Sequence, residues 1–251
     1  MDNQAYRNAI IQHMTELSSK EKAQSSARYF PEGIHCIGVT ASDITNIIKA
    51  FQSQFPELDA ELTLVLVEYL LKHRDYHEEV MIAFGLLNRF VKKHYDDSLM
   101  DRFEYWLEHY TNNWAQVDDL CIKTIYQFFL ARPYLIETTQ HWAHSKVSWC
   151  RRASNVVWVK FIKRKIGKAE YHLDPKLVFE NCNTLLHDHD EFVQKSIGWL
   201  LKVTATHHEK PVVEYLSKNG SLMPRLTIRY AIEKLDKSTR DEILKRTRSS
   251  D

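Results

Sequence analysis

Apolar residues along the 251-residue chain recur mostly at spacings of three and four, the period of stacked amphipathic helices, and only 6 glycines and 6 prolines interrupt them. Caps and breakers taken with that period place about twelve helical segments of roughly 10 to 20 residues each. Thr40 with Asp43 three residues on is a capping-box signal opening a helix through Phe51, and Pro56 separates it from a segment over 58–73. Further segments are predicted over 78–95, 98–110, 114–131, 134–143, 147–166, 175–187, 191–206, 211–218, 224–235 and 239–246. Pro175, Pro211 and Pro224 stand where a first helical turn tolerates a missing amide hydrogen. No stretch reads as a strand. Helical pairs joined by short turns, with no second composition regime, predict one all-α domain over 1–251, a curved solenoid whose inner face offers an extended binding surface. Many protein-binding scaffolds share that architecture, so it does not choose a function.

Composition narrows the class. An apolar content of 44% suffices for one sizeable core. The longest apolar run, 62–71, is broken by Thr63, Glu68 and Tyr69 and falls short of the roughly 20 apolar residues of a membrane span. The chain opens Met1-Asp2-Asn3-Gln4, with no basic segment leading into an apolar one, so a soluble cytoplasmic protein is expected. Cys36, Cys121, Cys150 and Cys182 are widely spaced and form no C-x-x-C pair, which predicts buried free thiols. The His187-Asp188-His189 and His207-His208 clusters lack the i, i+4 spacing of a zinc-binding helix, and no metal is expected. No nucleophile elbow or Gly-rich phosphate loop is present.

Charge is segregated. The net charge is +1, yet the first 143 residues carry 13 Lys and Arg against 20 Asp and Glu, a balance of −7, and the remaining 108 carry 21 against 13, a balance of +8. The most basic stretch, 151–168, holds Arg151, Arg152, Lys160, Lys163, Arg164, Lys165 and Lys168 and no acid. On one continuous helix Arg152, Lys160 and Lys163 or Arg164 return to nearly one azimuth, a row able to follow phosphates. The alternative is a solvated face paired with acidic neighbours. Two further constellations stand out. Trp114 and Asp118, four apart at a helix start, share a face, where the helix dipole favours the carboxylate anion; the plain alternative is a capping carboxylate beside a core tryptophan. In 190–199, Gly198 lets a backbone or a ligand approach beside Trp199.

Together these segments resemble a known family. Asn113-Trp114 with Asp118, then Trp149, Arg151, Arg152 and Ala153, then the Glu-Phe-Val-Gln-Lys-x-Ile-Gly-Trp run ending at Trp199 look like the AlkD branch of the DNA alkylation repair family, in order and approximate spacing. The 29–33 segment followed by Ile37-Gly38-Val39 resembles its N-terminal signature, and 226–231 its closing helix. The resemblance implies a right-handed solenoid of about six HEAT-like antiparallel helix pairs with a concave DNA-binding face. It also implies that Trp114, Asp118 and Trp199 line a lesion site, with Arg152 close by on the phosphate backbone; Arg151, Lys160, Lys163 and Arg164 of the basic stretch, and Lys202, are the further candidates for phosphate contact. The chain departs from the family pattern at Thr45 or Asn46, where a basic residue is usual, and at Lys202, where arginine is common and lysine lacks the bidentate fork. Asp119 adds a second carboxylate to which the sequence assigns no role, a simple helix cap being the plain alternative.

The implied activity is hydrolysis of the N-glycosidic bond of N3- or N7-alkylated purines, such as 3-methyladenine and 7-methylguanine, in double-stranded DNA. No metal or organic cofactor is implied, no membrane partner, and the expected state is a monomer. Two rivals stand beside it: a non-catalytic DNA-binding relative that recognises branched or distorted DNA, and a helical-repeat protein-interaction scaffold.

Overall fold

The computed structural model describes residues 2–247 and divides into two compact units, Met1–Ala131 and Arg132–Asp251. The first unit holds α1 (Asn3–Leu17), α2 (Lys20–Ala27), α3 (Ala41–Gln54), α4 (Ala60–His73), α5 (His77–Leu87), α6 (Leu99–His109) and α7 (Trp114–Asp119); α7 runs on through a π-helical stretch, Leu120–Ile125, into α8 (Tyr126–Ala131). The second holds α9 (Ser148–Val156), strands β1 (Lys163–Ile166) and β2 (Ala169–His172), α10 (Pro175–Thr184), α11 (Glu191–Ala205), α12 (Glu209–Asn219), α13 (Arg225–Ala231) and α14 (Lys237–Arg246). Among the described residues no helix is long and apolar enough to cross a membrane.

Local chemistry explains most starts. Thr40 accepts the Asp43 amide hydrogen while Asp43 accepts that of Thr40, the capping box expected from the sequence. Asp2, Ser19, Asp59, Asn113, Asp174, Asp190 and Asp236 each cap a helix by accepting a first-turn amide hydrogen, without the reciprocal bond. The cores are aromatic. Phe51, Phe84, Phe103, Trp106, Phe128 and Phe129 are fully buried in the first unit, as are Trp142, Trp158 and Phe161 in the second. Each such side chain contributes roughly 1.5 to 3 kcal/mol by leaving water.

Alternate helices pack on one another. In the first unit α3 packs against α5 and α5 against α7; in the second α9 packs against α11 and α11 against α13. That is the neighbour pattern of stacked helical pairs, and the candidate residues Trp114, Asp118, Arg151, Arg152, Trp199 and Lys202 all lie on these rows.

Four expectations are corrected. The helix read over 147–166 stops at Val156, and the basic stretch beyond it forms the antiparallel pair β1–β2, in register Lys163 with His172 and Ile166 with Ala169. Buried, β-branched Val156, Val157 and Val159 disfavour helix there. Gly167, at φ +62°, then opens the two-residue turn between the strands, and at the other end of the pair Leu173 donates to the carbonyls of Phe161 and Ile162, each at 3.3 Å. The single azimuth for Arg152, Lys160 and Lys163 therefore does not exist. The 78–95 helix ends at Leu87 and the chain continues in turns, and 134–143 forms two 3-10 segments, Pro133–Leu135 and Glu137–His144. Finally, α1 and α2 occupy residues before Thr40 to which the sequence pattern assigned no helix.

Candidate functional site

In the first unit, Asn113 caps α7 by accepting the Gln116 amide hydrogen at 3.1 Å, which sets Trp114 as the first helical residue and Asp118 one turn on. Both side chains are half-buried. The Trp114 ring stacks on Phe30, centroids 5.5 Å apart and planes at 17°, an arrangement worth about 0.5 to 1.5 kcal/mol beyond area burial. Tyr29, beside it, is 69% exposed. The cap is thus Asn113, and neither aspartate fills that role. Asp119 is only 7% exposed and pairs with Lys123 across the start of the π-helical stretch. Burial pushes its carboxyl up, Lys123 pulls it back down, and the adjacent Asp118 adds a smaller upward push.

The loop that carries Phe30 is anchored from α5. The buried Glu78 carboxylate accepts the backbone N–H groups of Ile37, Gly38 and Val39 at 3.1, 2.9 and 3.3 Å. Gly38, at φ +96°, must be glycine because a Cβ would lie 2.3 Å from the Ser19 carbonyl oxygen. Glu79 next to it accepts Arg7 Nε at 2.7 Å and the amide hydrogens of Asp75 and Tyr76. His77, first residue of α5, packs its ring 5.6 Å from that of Phe30. It also lines a cavity of about 450 Å³ with His35, Arg74, Asp75, Asn112 and Gln116. Phe30 and His77 were not legible as site residues, since each meets Trp114 or its flanks from far along the chain and no local period marks them.

In the second unit, the 191–199 run is mostly architecture. Gln194 donates to the carbonyls of Leu185, Leu186 and Asp188 and accepts from Thr227 at 3.0 Å. Ser196 accepts from Asn155 at 2.9 Å, and Asn155 in turn accepts from Asn181 at 2.8 Å. At Gly198 a Cβ would lie 2.6 Å from Tyr230 Cβ and 2.7 Å from the Thr227 carbonyl oxygen, so the backbone that comes close is that of α13. On the accessible side of α11, Lys195, Trp199 and Lys202 follow one another at i, i+4 and i+7, each half-buried.

The expected phosphate contacts divide into two groups. Arg151 grips Asp188 with Nε at 2.5 Å and Nη2 at 3.2 Å and also donates to the carbonyls of Ser145 and Lys146. Arg152 is 5% exposed, with Nη1 on the Phe192 carbonyl at 2.6 Å. Lys202 reaches Glu233 at 3.0 Å and lies 5.7 Å over the Tyr230 ring. Lys160, in the turn after α9, and Lys163 and Arg164, on β1, are exposed, and Lys163 pairs with Glu170 at 3.1 Å. Cys121, Cys150 and Cys182 are buried and Cys36 half-buried, all as free thiols.

A search of curated proteins by sequence finds no match. Solved structures do share the fold. A predicted DNA alkylation repair enzyme from Enterococcus faecalis superposes with a TM-score of 0.74 at 17% identity, over 88% of this chain and 97% of that one. An alkylpurine DNA glycosylase, AlkC, from Pseudomonas fluorescens, bound to DNA containing an abasic site analog, superposes with a TM-score of 0.54 at 14% identity, over 97% of this chain and 66% of that one. The model of the DNA alkylation repair enzyme family matches residues 10–235, nearly the whole described chain, and the protein belongs to that family.

Proposed function

We propose that the protein is a DNA glycosylase that hydrolyses the N-glycosidic bond of N3- or N7-alkylated purines, 3-methyladenine and 7-methylguanine among them, in duplex DNA. The observation that carries this reading is the Trp114–Asp118 pair: an indole and a carboxylate on successive turns of one short helix, both partly open to solvent, with the indole braced by Phe30. Family membership and the fold shared with AlkC support it.

The chemistry asks little more. Alkylation leaves the purine cationic and already a good leaving group, so no general acid is required, and positive charge moves onto the deoxyribose as the bond breaks. A fixed Asp118 carboxylate stabilises that oxocarbenium-like sugar and orients the attacking water. The Trp114 face holds a cationic sugar or base by cation–π attraction, about 0.5 to 2 kcal/mol. Trp199 is a second aromatic contact to the DNA. Phosphate contact falls first to the exposed Lys160, Lys163 and Arg164. Arg151 and Lys202 join with the N–H groups left over from their protein partners, and Arg152 joins them on the family resemblance.

The test is release of 3-methyladenine and 7-methylguanine from methylated duplex DNA by the wild type and by Asp118→Asn. Release by the wild type, with a loss of about 100-fold or more in the variant at unchanged duplex affinity, supports both the activity and the role of the carboxylate. Equal release by the two removes Asp118 from the mechanism. No release by either, with salt-sensitive duplex binding retained, selects a non-catalytic DNA-binding relative.

A further inference from the structure

His77 touches the candidate site through two side-chain amides. Asn113 Nδ2 and Gln116 Nε2 both lie 3.2 Å from its Nδ1. The orientation of each amide is set elsewhere. Asn113 Oδ1 accepts the Gln116 backbone N–H as the cap of α7, and Gln116 Oε1 accepts the Asn112 backbone N–H at 3.0 Å. Each amide therefore turns its NH2 toward His77. A ring nitrogen facing two donors must offer a lone pair, so the imidazole is neutral with its proton on Nε2. A protonated ring would oppose N–H to N–H at both contacts.

The surroundings act in the same direction. Burial holds the His77 imidazole below its ordinary range, and the neighbouring charge of Glu78 opposes that only in part. The Glu78 carboxylate is itself engaged by the backbone N–H groups of residues 37–39. His35, Arg74 and Asp75 line the cavity beside the ring, Phe30 covers it from the 29–39 loop, and α7 brings Asp118 and the Lys123-paired Asp119. The first-turn N–H groups of α7 have no intrahelical partners, so the cap that Asn113 supplies sets where the helix begins.

We propose that His77 is a positioning residue of the candidate site: through its unprotonated Nδ1 it holds Asn113 and Gln116, and so fixes the first turn of α7 with the Trp114 ring and the Asp118 carboxylate. Its effect on catalysis rests on the glycosylase reading; its effect on Trp114 does not.

Two substitutions in the full chain separate the acceptor from the packing. His77→Asn places a carbonyl oxygen near the Nδ1 position, and His77→Leu fills the space without an acceptor. The first readout is the Trp114 emission component, taken as each form minus its Trp114→Phe counterpart, between about pH 4 and pH 8, a range that reaches well beneath the ordinary imidazole value. The second is the single-turnover rate of 3-methyladenine release from methylated duplex DNA. The Trp114 component should shift in His77→Leu and in the wild type at acid pH, and remain near the neutral wild-type position in His77→Asn. Release should fall about 10- to 100-fold in His77→Leu at unchanged duplex affinity and recover in His77→Asn. A wild-type Trp114 component that ignores acid, or an Asn variant as impaired as the Leu variant, overturns the proposal, and the acid titration decides it even if His77→Leu does not fold. A Trp114 component that follows the expected pattern while no form releases base overturns the glycosylase reading and leaves the positioning role standing.

Discussion

Glu78 lies 2% exposed and spends its two oxygens on three consecutive backbone N–H groups, so its charge is answered entirely by the loop that carries the Phe30 brace. Glu78→Gln replaces one oxygen with an NH2 that opposes at least one of those donors. It should lower stability by about 1 to 3 kcal/mol, read as the midpoint shift in urea unfolding at constant slope. His77 gives a pH-dependent counterpart. Its folded pKa lies below the unfolded value of about 6.5, so its contribution is complete above that pH and is lost as pH falls through the window beneath it. Unfolding free energies of the wild type and His77→Asn should therefore converge as pH is lowered, and a constant difference would show that the ring does not titrate with folding. At this scale the Trp114–Asp118 pair was legible, because a spacing of four on a helix is a statement about one face. The braces were not. Phe30 and His77 reach α7 through tertiary contacts, and the basic count at Arg151 and Arg152 could not reveal that Asp188 and the Phe192 carbonyl already occupy their donors.

Helices with a cap residue and an apolar stripe were placed closely: α3, α6 and α11 start and stop within a few residues of the sequence pattern. The pattern failed where cations masked a change of period. Over 156–172 the buried valines, the glycine turn and the alternation of exposed Lys163 and Lys165 with the inward pair Ile166 and Tyr171 make a hairpin, while the charge run alone suggests a helical row. Tyr171 confirms the packing side by lying edge-on to Phe161 at 6.2 Å and donating to Glu137 at 3.2 Å. The α11–α13 joint is the one most open to test at the element scale. Gly198→Ala would push a methyl group into Tyr230 and the Thr227 carbonyl, forcing apart helices that also share the Thr227–Gln194 hydrogen bond. A loss of about 1 to 3 kcal/mol in chemical unfolding is expected. A neutral result would mean that α13 can shift without cost and that the glycine serves something other than this approach.

Across the whole molecule, the change of charge balance read from the sequence falls near the division between the two units, with the acidic excess in the first and the basic excess in the second. A net charge of +1 therefore understates how strongly the second unit can attract a polyanion. If the exposed hairpin cations hold the phosphates, replacing Lys160, Lys163 and Arg164 by glutamine should reduce the slope of log affinity against log salt by about 0.9 for each phosphate left unneutralised, for alkylated and intact duplex alike. The single-turnover release rate at saturating DNA should stay near the wild-type value, because none of the three reaches the chemistry in this reading. Replacing Lys163 alone gives a sharper comparison, since its tie to Glu170 already lowers the charge it presents. Its share of the slope should rise when Glu170→Gln removes that tie. An unchanged slope in the triple variant would return the phosphate-binding role to Arg151, Arg152 and Lys202, and would require their protein partners to give way when DNA binds.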